Sequence, residues 1–160
     1  AGFPGIPLKI ENRSLNLTLM DSLNKRINFL KEVSSQLDLD AECIHIRAEE
    51  AGKNKLYREQ YDVAVSRAVA RLCVLAEYCL PLVKKDGMFV ALKGSKFAEE
   101  IEEGKAALKI LGGKLLSAEP VKLPGLDDGR AIIKIAKTKA TPAQYPRKAG
   151  TPEKQPLGSK

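Results

Sequence analysis

The sequence predicts an α/β fold: a doubly wound, mostly parallel sheet that ends in an antiparallel hairpin. Three observations carry that expectation. Short apolar runs alternate with longer stretches whose apolar residues step by threes and fours, the signature of strands interleaved with amphipathic helices. Glycine-bearing turns punctuate these segments, starting with Ala1-Gly2-Phe3-Pro4-Gly5-Ile6-Pro7-Leu8. The last two apolar runs are joined only by Pro124-Gly125-Leu126-Asp127-Asp128-Gly129, too short for a crossover helix, so that pair is antiparallel.

The elements follow in order. A short helix covers Gly5 to about Glu11, and Leu15 to Met20 is a strand closed by Asp21. Leu23, Ile27, Leu30, Val33 and Leu37 share one helix face, with Lys25, Arg26, Lys31 and Glu32 off it, and Asp21 or Ser22 can cap the first turn. Cys43 to Ile46 is a strand with Ala48-Glu49-Glu50 at its C-terminal end, and a polar loop runs from Lys53 to Glu59. Tyr61 to Ser66 is the next strand. Val69, Leu72, Leu75, Ala76, Cys79 and Leu80 mark a helix that Pro81 stops. A tight turn at Asp86-Gly87 enters the strand Met88 to Leu92, and a helix from about Ser95 to Leu111 carries Glu99, Glu100, Glu102 and Glu103 near its start, where carboxylates suit the helix dipole. Gly112-Gly113 leads into Lys114 to Leu123, and Arg130 to Lys137 is the closing strand.

Composition excludes several classes of function. With 44% hydrophobic and 29% charged residues over 160 positions, the chain suits one substantial core. No apolar run approaches the roughly 20 residues of a membrane helix. Cys43, Cys73 and Cys79 form no Cys-x-x-Cys pair and sit among apolar neighbours, so they read as reduced buried thiols of a cytoplasmic protein. His45, the single histidine, lies in a strand, which leaves no zinc set and no Ser/His/Asp or Cys/His triad. Lys137, Lys139, Arg147, Lys148, Lys154 and Lys160 against Glu153 give the last segment +5 of the net +7. With Pro142, Pro146, Pro152 and Pro156 beside them, that segment reads as an extended tail for a polyanion such as RNA.

In a doubly wound sheet the ligand lies beyond the carboxyl ends of the strands. Those ends gather Gly2, Phe3, Asp21, Ala48, Glu49, Ser66, Arg67 and Lys93. Glycines between strand and helix let backbone approach a ligand, and an acid at the next strand tip can accept both hydroxyls of a ribose, which is half of a nucleotide pocket. Each residue has a plainer reading beside this one: Asp21 as a helix cap, Glu49 and Arg67 as a surface ion pair, Lys93 as a solvated strand-end lysine, and Lys25 and Arg26 as solubilising charge.

Six ordered blocks then resemble one family: Ala-Gly-Phe-Pro-Gly-Ile-Pro-Leu at 1 to 8, Asp-Ser-Leu-Asn-Lys-Arg at 21 to 26, Arg-Ala-Glu at 47 to 49, Ser-Arg-Ala at 66 to 68, Ala-Leu-Lys-Gly at 91 to 94, and Tyr-Pro-Arg-Lys-Ala-Gly-Thr-Pro at 145 to 152. They are similar to the bacterial small-subunit ribosomal RNA guanine-N7 methyltransferases, also called glucose-inhibited division protein B. The resemblance implies a class I (Rossmann-like) domain over residues 1–138 that uses S-adenosylmethionine, with 139–160 as its basic tail. The family carries an Asp-x-Gly-x-Gly strand end and a helical region ahead of the first block, so the first strand is expected to lie outside this chain. Carried over by position, the resemblance implies that Gly2 and Phe3 line the cofactor turn, that Asp21 with Ser22 and Leu23 meets the ribose, that Ala48 and Glu49 frame the adenine, and that Arg67 lies by cofactor and target base.

Guanine N7 carries a free lone pair, so its methylation needs no general base, and none stands on the predicted rim. Arg67 and Lys93 are expected to orient the guanine or its phosphate through donors to oxygen, and Lys25, Arg26, Arg147 and Lys148 to contact RNA. Ser66-Arg67-Ala68 stands where exocyclic-amine methylases carry Asn/Asp-Pro-Pro-aromatic, and no cysteine is placed for attack on carbon. The resemblance implies 16S ribosomal RNA or a small-subunit particle as substrate, and the enzyme is expected to be a cytoplasmic monomer without metal. Two alternatives remain at this level: a nicotinamide-dependent oxidoreductase, which also places an acid at the second strand tip, and a non-catalytic RNA-binding module.

Overall fold

A computed structural model describes residues 1–67 and 70–158, with the backbone alone at 126–128. Ala68 of the Ser66 block, Val69 of the predicted helix stripe and Lys160 of the basic segment lie outside the described residues. The chain divides into two compact units, Ala1–Ala48 and Glu49–Lys160.

The first unit holds α1 (Gly5–Glu11), β1 (Leu17–Asp21), α2 (Asn24–Gln36) and β2 (Ala41–His45), and it ends on the first residue of α3 (Ala48–Ala51). β1 and β2 run parallel, with Leu17 opposite Ala41 and Asp21 opposite His45. A parallel pair needs a crossover, and α2 provides it. Ile27 and Leu30 of the predicted stripe are buried with Ile6, Leu19 and Leu39, each such side chain contributing roughly 1.5–3 kcal/mol. Leu23 and Leu37 stay exposed because they flank the helix at its caps, where the 3.6-residue period no longer holds. Lys9 is buried, and its ammonium donates to the carbonyls of Arg13 (2.8 Å) and Leu15 (2.6 Å), which ties down the turn between α1 and β1.

The second unit contains β3 (Tyr61–Arg67), α4 (Leu72–Cys79) running into a 3-10 turn at Leu80–Leu82, β4 (Val83–Lys93), α5 (Phe97–Leu111), β5 (Gly113–Leu123), β6 (Leu126–Lys137) and α6 (Thr151–Lys154). The strand order is β3-β4-β6-β5. β3 and β4 are parallel, with Val63 opposite Met88 and Arg67 opposite Leu92, while β6 runs antiparallel to both β4 and β5. The hairpin turn is shorter than the sequence suggests, with Pro124-Gly125 between the strands.

Period-2 alternation sends Phe89, Ala91, Ile133 and Ile135 to one face of this sheet, where they pack with Leu72, Leu75 and Ala76 of α4 and Ile101, Leu108 and Leu111 of α5. The sequence predicts helices on both faces. Within this unit α4 and α5 share one face, and on the other Val63 is 50% exposed.

Residues after Lys137 depart most from expectation. Proline content predicts an extended tail, yet Pro146 and Pro152 are buried and a short helix, α6, forms around Pro152. Pro152 stands in the first turn of α6, where a missing N–H costs nothing. The segment is a strap belonging to the second unit, and no unit boundary falls near 138.

Candidate functional site

In the first unit, Asp21 closes β1. Its Oδ1 accepts the backbone N–H of Leu23 at 2.9 Å, and its Oδ2 lies 3.4 Å from an Arg26 guanidinium nitrogen. The carboxylate therefore shapes the entry to α2 and keeps one oxygen only loosely engaged. The neighbouring strand tip is fastened to it: the Ile46 N–H donates to the Asp21 carbonyl at 3.1 Å, and His45 Nε2 lies 3.0 Å from the Ser22 carbonyl. Ser22, Leu23, Lys25 and Phe3 are exposed, and Ala48 is half-buried. Gly2 has φ +80°, and a Cβ there would fall 2.8 Å from Ile6 and 2.9 Å from Leu30, so the turn requires glycine both for conformation and for space.

In the second unit, Arg67 ends β3 and is exposed opposite Leu92. Lys93 ends β4 and contradicts its predicted role. It is 8% exposed; its ammonium donates to the Ala70 carbonyl at 2.7 Å and pairs with Glu100 at 2.7 Å. Glu100 also accepts the Leu72 N–H at 2.8 Å, so the pair holds the N-terminus of α4 to the end of β4. A lysine with its charge compensated inside the protein is not a donor aimed at substrate. Glu49 is buried, and its Oε1 accepts the Gly150 N–H at 3.0 Å.

Arg147 also departs from the expected RNA contact. Its Nε lies 2.9 Å and 3.2 Å from the two carboxylate oxygens of Glu77, its Nη2 donates to the same carboxylate at 2.6 Å, and its backbone N–H adds a fourth bond at 2.8 Å. Glu77 is fully buried, and this pairing holds the guanidinium in its charged form. Lys137 is likewise buried: it donates to the Leu80 carbonyl, to Val83 O at 3.0 Å and to Thr141 Oγ1 at 2.8 Å, and pairs with Glu59 at 3.1 Å. Burial pulls its pKa down, against the opposing pull of Glu59. Of the predicted RNA-contacting cations, Lys25, Arg26 and Lys148 remain on the surface.

The sequence marks none of the residues that hold the strap, although two carry a readable signal. Glu77 is the single charge in the apolar run Leu72 to Val83, and Lys137 continues the inward alternation Ala131, Ile133, Ile135; a charge at a core position calls for a buried partner. Arg58 and Glu59 stand in a polar loop with no such pattern.

Burial pushes the Cys79 thiol up to about 12 and raises that of Cys73, so both stay protonated and unreactive near neutrality. Among the described residues no group of His, Cys, Asp and Glu is arranged for a metal ion, and no helix is long and apolar enough to cross a membrane. A shallow groove lined by Asn16, Leu17, Thr18, Asp40 and Glu42 lies at the opposite end of β1 and β2 from Asp21.

The GidB family model, described as rRNA small subunit methyltransferase G, matches residues 1–126. A protein of Lactobacillus helveticus named Ribosomal RNA small subunit methyltransferase G is 55% identical over 98% of this chain. The chain spans 66% of that relative's length. Among solved structures, a predicted O-methyltransferase from Agrobacterium tumefaciens aligns with a TM-score of 0.63 at 16% identity, covering 88% of this chain and 71% of its own. A 16S rRNA N2-guanine methyltransferase of T. thermophilus, in complex with AdoMet and guanosine, aligns at 0.56 and 17% identity over 88% of this chain and 33% of its own. At those identities the likeness shows the fold, that of class I methyltransferases.

Proposed function

The chain belongs to the GidB family of small-subunit ribosomal RNA methyltransferases, and on that premise we propose that it serves methyl transfer from S-adenosylmethionine to N7 of a guanine in 16S ribosomal RNA. The observation that carries this reading is the turn at Asp21. One carboxylate oxygen is spent on holding the entry to α2, while the other meets its partner only at 3.4 Å and can accept a ribose hydroxyl. Gly2, at φ +80°, supplies the left-handed conformation that the turn ahead of α1 needs, with Ile6 and Leu30 packed where a side chain would stand. On this reading Gly2 and Phe3 line the cofactor turn, Asp21 with Ser22 and Leu23 meets the ribose, and Ala48 and Glu49 frame the adenine. Relatives named as methyltransferases weigh against the nicotinamide alternative.

When bound, S-adenosylmethionine supplies a methyl made electrophilic by its sulfonium. The protein's own work is orientation. Guanine N7 attacks with a lone pair and loses no proton, so no side chain need act as base. Holding nucleophile and methyl in line supplies roughly 7–11 kcal/mol of barrier reduction. Arg67 orients the guanine through its fork of donors, as arginine does at guanine O6 and N7. Lys25, Arg26 and Lys148 neutralise RNA phosphates, and the protein acts as a cytoplasmic monomer on the ribosomal RNA or its particle. Lys93 and Arg147 take no part, since their charges are compensated internally.

The test is calorimetry of S-adenosylhomocysteine against NAD on the polypeptide together with any residues adjoining this segment, followed by mass spectrometry of small-subunit RNA for N7-methylguanine. Binding of S-adenosylhomocysteine alone and appearance of the methylated base are expected. NAD binding, or RNA binding without either ligand, refutes the proposal.

A further inference from the structure

We infer that Arg58 is a positioning residue, fastening the C-terminal strap to the segment that carries Glu49, so that the strap sets affinity for the adenosyl cofactor rather than the rate of transfer. The inference rests on the role given to Glu49 above.

Arg58 Nη1 donates to the carbonyls of Gly52 and Tyr145, both at 2.7 Å, and its Nη2 donates to those of Thr141 at 2.6 Å and Pro142 at 3.4 Å. One side chain thus joins the turn just after Glu49 to a segment more than 80 residues later. Contact between the same two segments is close elsewhere: a Cβ on Gly52 would stand 2.7 Å from Pro146. The strap in turn sends the Gly150 N–H to Glu49 at 3.0 Å. Glu49 is buried and draws this donor from the strap, so its carboxylate holds its orientation while the strap is closed. A ligand that needs that orientation binds best to the closed strap and shifts the population toward it. The planar guanidinium matters here, because it directs two separate donor nitrogens at four carbonyls, whereas a lysine's donors all leave from one nitrogen and do not reproduce that fork.

The experiment compares the unsubstituted protein with Arg58→Lys, and with Lys139→Ala as a control on an exposed strap residue. Arg58→Lys is expected to raise the Kd for S-adenosylhomocysteine about tenfold, the loss of about one charge-assisted hydrogen bond. Its kcat at saturating cofactor and RNA is expected to stay within about twofold, the pattern of lost uniform binding. Lys139→Ala is expected to change neither. An unsubstituted protein that binds no S-adenosylhomocysteine refutes the proposed function itself. One that binds it while Arg58→Lys binds equally well overturns the positioning role alone. Hydrogen exchange on the unsubstituted protein decides the matter should the variant fail to fold. If adding S-adenosylhomocysteine slows amides in 48–54 and in 141–150 together, the coupling stands; if slowing is confined to 48–54, it does not.

Discussion

The turn at Asp21 and the strap at Arg147 are both charged, and both stand in blocks that the sequence marks for ligand contact, yet they fold by different means. Asp21 is held by partners two and five residues away, Leu23 and Arg26. Arg147 is held by Glu77, 70 residues earlier, and its neighbours Thr141 and Tyr145 by Arg58, more than 80 residues earlier. A turn made of local hydrogen bonds forms wherever its own sequence permits and leaves part of its polar capacity for a ligand. A strap held by distant charges spends that capacity on the fold. Similar residue types therefore mean a site in one region and architecture in the other.

The largest expected effects break the strap. Arg147→Ala leaves the Glu77 carboxylate buried without its countercharge, which should cost about 3–5 kcal/mol and lower the urea midpoint accordingly. Deleting Thr141 to Lys160 removes the strap carbonyls that Arg58 holds, the Thr141 hydroxyl that Lys137 holds and the countercharge of Glu77 at once. The sequence alone suggests that such a deletion would weaken only RNA binding and spare the cofactor; the structure replaces that with loss of cooperative unfolding, read by calorimetry. A deletion that melts like the parent would mean the strap is dispensable after all.

At the turn the expected change appears in binding. Asp21→Ala should weaken S-adenosylhomocysteine by about 1.5–3 kcal/mol, the range for a hydrogen bond to a charged group. Its stability should fall by only about 1 kcal/mol, as for loss of a capping residue. Equal affinity in a folded variant would remove Asp21 from the site.

Acid offers a gentler probe of the strap. Although partial burial opposes it, the Thr141 N–H and Lys137 hold Glu59 below its ordinary value of 4.5. A depressed folded-state carboxyl contributes stability that is fully present above the unfolded value and is lost as pH falls through the folded one. Stability should therefore decline below about pH 4.5, and Glu59→Gln should flatten that limb of the melting-temperature profile. An unchanged limb would assign acid sensitivity elsewhere.

The smallest effect belongs to the surface. Lys148→Ala should weaken RNA binding and lower the slope of log affinity against log salt by about 0.7–0.9, the mark of one lost phosphate contact. A slope that does not move would take the strap's exposed face out of the RNA interface.

How much of this was legible follows from the same contrast. Ile27 and Leu30 announce α2 by spacing, and the apolar run Met88 to Leu92 after Asp86-Gly87 announces β4, because both signals are written over a few adjacent residues. Asp21 was readable for that reason too. Composition does not reveal the strap, because proline and lysine content describes what a segment does alone, whereas Pro146, Arg147 and Lys137 are placed by Gly52, Glu77 and Glu59. Lys93 is a similar case: the sequence shows its partner Glu100 only as one of four acids near a helix start, while its bond to the Leu72 N–H depends on how α4 meets α5.

The position of β6 bears on how the molecule is made. β6, synthesised after both β4 and β5, lies between them, so those two cannot join one sheet until residues near 137 have left the ribosome. Until then each exposes a row of unpaired backbone groups, and Phe89 and Ala91 lack the Ile133 and Ile135 that complete their layer. The second unit is therefore committed to folding after translation of nearly its whole length, with a waiting period in which the nascent chain is open to mispairing and to capture by chaperones.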